Sequence, residues 1–130
     1  MRVEYYSEDK NKEDTRFKKF LKKDLQKRKD LKILVESFIV KVTDSKTLDP
    51  FLATEEISSL ELIRTREGKE ETRLHEMRIP KARKGGVVRI YFIQSKYNSS
   101  CILLLDGEVK HGKQSAIKDF MKNLTWSIDY

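Results

Sequence analysis

Leu74-His75-Glu76-Met77-Arg78-Ile79-Pro80, Val87-Val88-Arg89-Ile90-Tyr91-Phe92-Ile93 and Cys101-Ile102-Leu103-Leu104-Leu105-Asp106-Gly107-Glu108-Val109-Lys110 are the runs on which the fold is decided. Arg73 to Ile79 alternates with a period of two, placing His75, Met77 and Ile79 on one side and Leu74, Glu76 and Arg78 on the other. Pro80 lacks an amide hydrogen and ends that strand. Lys84-Gly85-Gly86 supplies a turn, after which the β-branched and aromatic run from Val87 sets Val87, Arg89, Tyr91 and Ile93 on one face. Tyr97-Asn98-Ser99-Ser100 is the next turn. Cys101 to Leu105 is continuously apolar, the pattern of a strand covered on both faces, and it runs on toward Lys110. Consecutive strands joined by short turns predict an antiparallel meander.

Upstream the period changes. Val3, Tyr5 and Tyr6 open a short edge strand, and Glu13 and Asp14 place negative charge in the first turn of a helix that starts near residue 13. Phe17, Phe20, Leu21 and Leu25 form one helical stripe; Gln26 to Asp30 interrupts it; Leu31, Leu34, Val35, Phe38 and Val42 resume it. The pattern fits a helical hairpin or a single long bent helix. Residues 47–49 are expected to be extended, because the residue before a proline avoids the helical region. Thr54-Glu55-Glu56-Ile57 reads as a capped helical turn, Leu60 to Arg66 as helix or strand, and Glu67-Gly68-Lys69 as a turn. At the other end, Ser115 caps a helix in which Ala116, Ile117, Phe120, Met121 and Leu124 recur at helical spacing. The expected layout is α+β: an N-terminal helical hairpin packed on a small antiparallel sheet, with a short C-terminal helix, forming one domain over residues 1–130.

A chain of 130 residues has room for a single hydrophobic core. Lys and Arg outnumber Asp and Glu by 28 to 21, and the formal charge of +7 favours a polyanionic partner, nucleic acid before others. The imbalance is sharpest from Arg78 to Arg89, where Arg78, Lys81, Arg83, Lys84 and Arg89 face no acid, whereas Phe17 to Lys32 mixes its lysines with Asp24 and Asp30 as a solvated helix face does. Only two histidines and the single Cys101 are present, so neither a structural zinc set nor an internal disulfide is expected. No GxxxxGK[ST], GxGxxG or HExxH pattern occurs, and no cofactor is implied. No run reaches eighteen apolar residues and residues 1–6 contain no apolar targeting segment, so a cytoplasmic protein with no membrane partner is expected.

The ordered trio Leu74-His75-Glu76-Met77-Arg78-Ile79, Gly86-Val87-Val88-Arg89-Ile90-Tyr91-Phe92 and Ile102-Leu103-Leu104-Leu105-Asp106-Gly107-Glu108-Val109-Lys110-His111 resembles the RelE/ParE superfamily of type II toxins, most closely its HigB-like, phage-derived branch. That branch carries a Leu-x-Glu-Leu-Arg strand, a Gly-x-x-Arg-Ile-x-Tyr/Phe strand and a Leu-Leu-x-Gly-Phe-x-Lys-Lys strand. The similarity covers about residues 72–113; Glu108 stands where an aromatic is usual, and His111 where a second lysine is common.

The resemblance implies a RelE-like toxin that enters the ribosome and cuts mRNA without a metal, held inactive by a cognate antitoxin of helix-turn-helix type. Such cleavage needs a base for the 2′-OH, a cation for the phosphorane and an acid for the 5′-oxygen. Arg89 matches the family's functional arginine, whose guanidinium can hold two phosphate oxygens; a cross-sheet salt bridge is the plainer role. Arg78 shares a face with Glu76, so Arg78 can bind phosphate while Glu76 orients it or acts as base, or the two simply neutralise each other. Lys110 and His111 fall at the family's basic pair, with His111 able to exchange protons near neutral pH. Lys81, Arg83, Lys84 and Lys113 are candidates for RNA phosphate contact, and Tyr91 for stacking on a base or for the core. His75 is expected at the edge of the core. The alternatives are a non-enzymatic gyrase inhibitor of ParE type and a degenerate member that binds RNA without cutting it.

Overall fold

The structure is a computed structural model that describes residues 1–8, 15–53, 57–64, 71–79, 87–110, 116–125 and 127–130. Strand β1 (Arg2–Tyr5) comes first, followed by α1 (Arg16–Lys23), α2 (Lys29–Asp44) and the short α3 (Asp49–Ala53). Four strands follow, β2 (Ile57–Arg64), β3 (Glu71–Ile79), β4 (Val87–Gln94) and β5 (Cys101–Lys110), and then helix α4 (Ala116–Thr125). The layout is α+β, as expected. The sheet has the order β1-β5-β4-β3-β2. It is mixed, not wholly antiparallel: β2 through β5 run antiparallel to one another, while β1 lies parallel to the first half of β5, from Arg2 opposite Cys101 to Tyr5 opposite Leu104.

Both faces of the sheet are covered, which explains the unbroken apolar run in β5. Ile102 and Leu104 join Phe17, Phe20, Val35, Phe38 and Val42 in the larger core, beneath α1 and α2. Leu103 and Leu105 point the other way, into a smaller cluster with Leu74, Tyr91, Ile93 and Met121 of α4. In β4 the same division separates Val88, Ile90 and Phe92 from Tyr91 and Ile93. Full burial of a large apolar side chain contributes about 1.5–3 kcal/mol, so two covered faces give a sheet of this size most of its stability.

The helical stripes lie where the periodicity puts them. Phe17, Phe20, Leu25, Leu31, Val35, Phe38 and Val42 are all buried, whereas Leu34 is exposed. The break between α1 and α2 falls at residues 24–28. Thr15 caps α1, its hydroxyl accepting the Lys18 amide at 3.2 Å, and Lys22 and Lys23 occupy the negative end of that helix. Glu13 and Asp14 lie outside the described residues, as do Thr54 to Glu56, residues 65–70, Lys84 to Gly86 and Ser115. In α4, Met121 is buried but Phe120 is exposed and its ring lies 4.6 Å beneath the Arg16 guanidinium. No described helix is long and apolar enough to cross a membrane.

Two local expectations change. Asp49 is not extended but opens α3; Pro50 sits in its first turn, where a missing amide hydrogen costs nothing. Ile57, expected in a helical turn, and residues 60–64, which fit helix or strand by sequence, lie in one strand, because pairing from Ile57 opposite Met77 to Arg64 opposite Glu71 supplies a ladder that local propensity does not encode.

A third feature shapes the site. Tyr91 pairs with Asp106 but Phe92 with Leu104, so Leu105 is an extra residue and β5 bulges there. Just past the bulge, a Cβ on Gly107 would lie 2.5 Å from Cε1 and 2.6 Å from Cδ1 of Phe20. Phe20 is itself buried, so its ring must shift out of its packed position to admit the methyl group. Gly107→Ala is therefore expected to lower stability by about 1–3 kcal/mol in urea unfolding, the usual cost of overfilling a packed site. A variant as stable as the parent would mean that Phe20 does not lie against the β5 backbone.

Candidate functional site

Strand register assembles the charged residues on the face of the sheet that carries α4. Arg78 of β3 stands opposite Arg89 of β4, and Arg89 stands opposite Glu108 of β5. Opposed residues of an antiparallel pair project to the same side, so the three form a row across three strands. Two guanidinium groups directly opposite each other repel. Glu76, two residues before Arg78 and on the same face, offsets this: its Oε1 lies 2.8 Å from Arg89 Nε and its Oε2 3.8 Å from Arg78 Nη2.

The burial is uneven. Glu76 is wholly buried, the Arg89 side chain is 14% exposed and the Arg78 side chain 43% exposed. A carboxylate without solvent contact needs compensation by close opposite charge, and removing one partner of such a pair typically costs about 3–5 kcal/mol. Glu76 therefore holds the Arg89 guanidinium by charge, through a 2.8 Å approach to Nε that is not aligned as a hydrogen bond. Glu76 is 0% exposed, so its carboxylate is not presented to solvent and is placed to orient the neighbouring guanidinium. Arg78 carries the accessible charge of the group.

The other anticipated residues divide cleanly. Tyr91 lies opposite both Glu76 and Asp106 and is fully buried against the α4 cluster, so it is a core residue and offers no ring face to a base. His75 is buried on the opposite face, stacked on Phe92 with ring centroids 5.1 Å apart. Lys110 ends β5 opposite Val87. His111, Lys81, Arg83, Lys84 and Lys113 lie outside the described residues.

A second polar centre went unread in the sequence. Asp106 interrupts the apolar run of β5 and is buried; its Oδ2 accepts from Arg16 Nε at 3.0 Å and its Oδ1 from the Gly107 amide at 2.8 Å. Arg16 also reaches Glu8 at 3.0 Å. Burial pushes the Asp106 carboxyl above its ordinary value, while the Gly107 amide and the Arg16 guanidinium pull it partway back. The signal was present: a lone carboxylate inside an apolar strand requires a cation from elsewhere in the chain. No protein-family model, curated protein or solved structure matches this chain.

Because the native state keeps the Asp106 proton to a higher pH than the unfolded chain does, the stability linked to this residue is greatest below pH 3.8 and falls as pH rises through the raised value. Replacing Asp106 by Asn is expected to remove that decline. Urea unfolding of parent and variant across a pH series should give a difference that changes in this window and is flat below it; parallel curves would contradict the assignment.

Proposed function

We propose that this chain is a toxin of the RelE/ParE type, a ribosome-dependent mRNA endoribonuclease held inactive by a cognate antitoxin. The observation that carries the reading is the row of Arg78, Arg89 and Glu108 braced by buried Glu76. In this reading α1 and α2 are the family's N-terminal helical hairpin, and β3 to β5 form its RNA-binding meander. The Nε edge of Arg89 is taken by Glu76, so the forked terminal nitrogens are the donors for a phosphate. Arg78 adds a second, more exposed cation beside them.

The chemistry follows from that arrangement. The 2′-oxygen attacks phosphorus, the P–O5′ bond breaks, and a 2′,3′-cyclic phosphate and a 5′-hydroxyl result. Arg89 and Arg78 stabilise the added negative charge of the phosphorane. Lys110 neutralises charge at the end of β5, and the imidazole of His111 moves the proton. Lys81, Arg83, Lys84 and Lys113 hold ribosomal RNA or mRNA through phosphate charge. Such a protein works where ribosomes do, in the cytoplasm. Complete burial of Glu76 supports one other reading, a member that binds RNA on the same face without cutting it, because that carboxylate is unavailable as a base.

Cleavage of translated mRNA in a reconstituted system tests the proposal. The parent protein should cut; Arg89→Ala should lose about 10²–10³-fold in rate, as expected when one donor to a developing oxyanion is removed. His111→Gln should lose on the order of a hundredfold and the rate profile should lose a titration near pH 6–7, with ribosome affinity kept. Ribosome binding by the parent with no cleavage would favour the binding-only member, and absence of both would overturn the proposal.

A further inference from the structure

Away from the arginine row, a cleft of about 510 Å³ opens between α1 and the outer side of β5, past the bulge. This lies within the roughly 300–1,000 Å³ typical of small-molecule sites. One wall is rigid: Arg16 is held by Asp106, Glu8 and the ring of Phe120. The floor is the Phe20 ring and the backbone of Gly107 on which that ring packs. The remaining charges are Lys19, Lys23 and Asp24, which have no side-chain partner among the described residues. Lys19 and Lys23 lie four residues apart on one face of α1, three and seven residues on from Arg16.

The unspent groups are thus two ammonium ions side by side and one carboxylate at the end of the same helix. A ligand that satisfies them is anionic at one end and donates hydrogen bonds at the other, with a flat apolar part to lie against Phe20. We propose that the cleft takes a guanine nucleotide unit, its phosphate on Lys19 and Lys23 and its base edge on Asp24. Among the four bases only guanine presents two adjacent N–H donors, N1–H and N2–H, on one edge, and a carboxylate accepts both at once. The inference stands whether or not the protein cuts RNA. The unit can come from a free nucleotide or from one residue of an RNA strand.

Titration of the whole chain, followed by NMR at the Gly107 amide and the Arg16 Nε–H, tests it. GMP should give saturable shifts at both, and bind more tightly than AMP, CMP, UMP or inorganic phosphate. The double variant Lys19→Ala, Lys23→Ala should weaken GMP about tenfold or more, the effect of losing charge-assisted contacts. Asp24→Asn should erase the preference for guanine and leave phosphate-dependent affinity in place. All three positions are solvent-exposed, so the variants keep the parent spectrum elsewhere. Tighter binding of a guanine-containing tetranucleotide than of GMP identifies RNA as the source, and equal binding identifies the free nucleotide. Equal affinity for all four monophosphates, phosphate binding as tightly as GMP, or no saturable shift would overturn the proposal.

Discussion

Glu76 has no solvent contact, and a buried carboxylate is stable in a protein interior only beside a matching cation. Much else in the molecule is arranged around that requirement. It fixes the register of β3 against β4, because a slip of one residue would carry Glu76 to the opposite face and away from Arg89. It also makes the Arg78–Arg89 juxtaposition tolerable, since the carboxylate lies within 4 Å of both guanidinium groups. The outcome is a pair of arginines at two depths, one clamped and one accessible.

The face of the sheet that bears Glu76 has a covering of its own. With α1 and α2 alone, the face bearing Leu74, Tyr91, Ile93, Leu103 and Leu105 would be open; α4 and the segment 127–130 close it through Met121, Leu124, Ile128 and Tyr130. Tyr130 donates to the Ile102 carbonyl at 3.3 Å, and Asp129 accepts from Tyr97 at 2.6 Å and from Lys96 at 2.8 Å. The Lys96 and Tyr97 contacts hold the Asp129 carboxyl below its ordinary range, and the shared hydrogen bond raises the Tyr97 phenol. Asp129 is thereby pinned to the β4–β5 turn, and the same closure completes the smaller core around Tyr91. Structure and the proposed chemistry meet here, since an arginine braced from behind is already aimed before a phosphate arrives.

Much of this was legible in the sequence because it is periodic. The strands β3, β4 and β5 follow from alternation and β-branched residues, the buried stripes of α1 and α2 from helical spacing, and the double coverage of β5 from its unbroken apolar run. The shared face of Glu76 and Arg78 also follows from alternation. Other features depend on contacts far apart in the chain. The assignment of β2 rests on its pairing with β3, the β5 bulge on the sides to which Leu104 and Leu105 must point, and the Asp106–Arg16 pair on residues 90 positions apart. By sequence Tyr91 suits base stacking or, as an aromatic in a strand more often does, packing; the cover by α4 puts it in the core, and α4 is remote in sequence. Gly107 read as a strand residue, and nothing local reveals that a phenyl ring occupies the volume of its side chain.

The Glu76–Arg89 pair is a coupled unit and not two independent buried groups. A double-mutant cycle measures this directly, using urea unfolding of the parent, Glu76→Gln, Arg89→Gln and the double variant. The account predicts that the two losses are strongly non-additive, with a coupling energy of about 1.5–3 kcal/mol, because each single variant strands the partner's charge in the interior and the double variant strands none. Losses that add to within about 0.5 kcal/mol would contradict it, and would mean that the carboxylate and the guanidinium are neighbours without being partners.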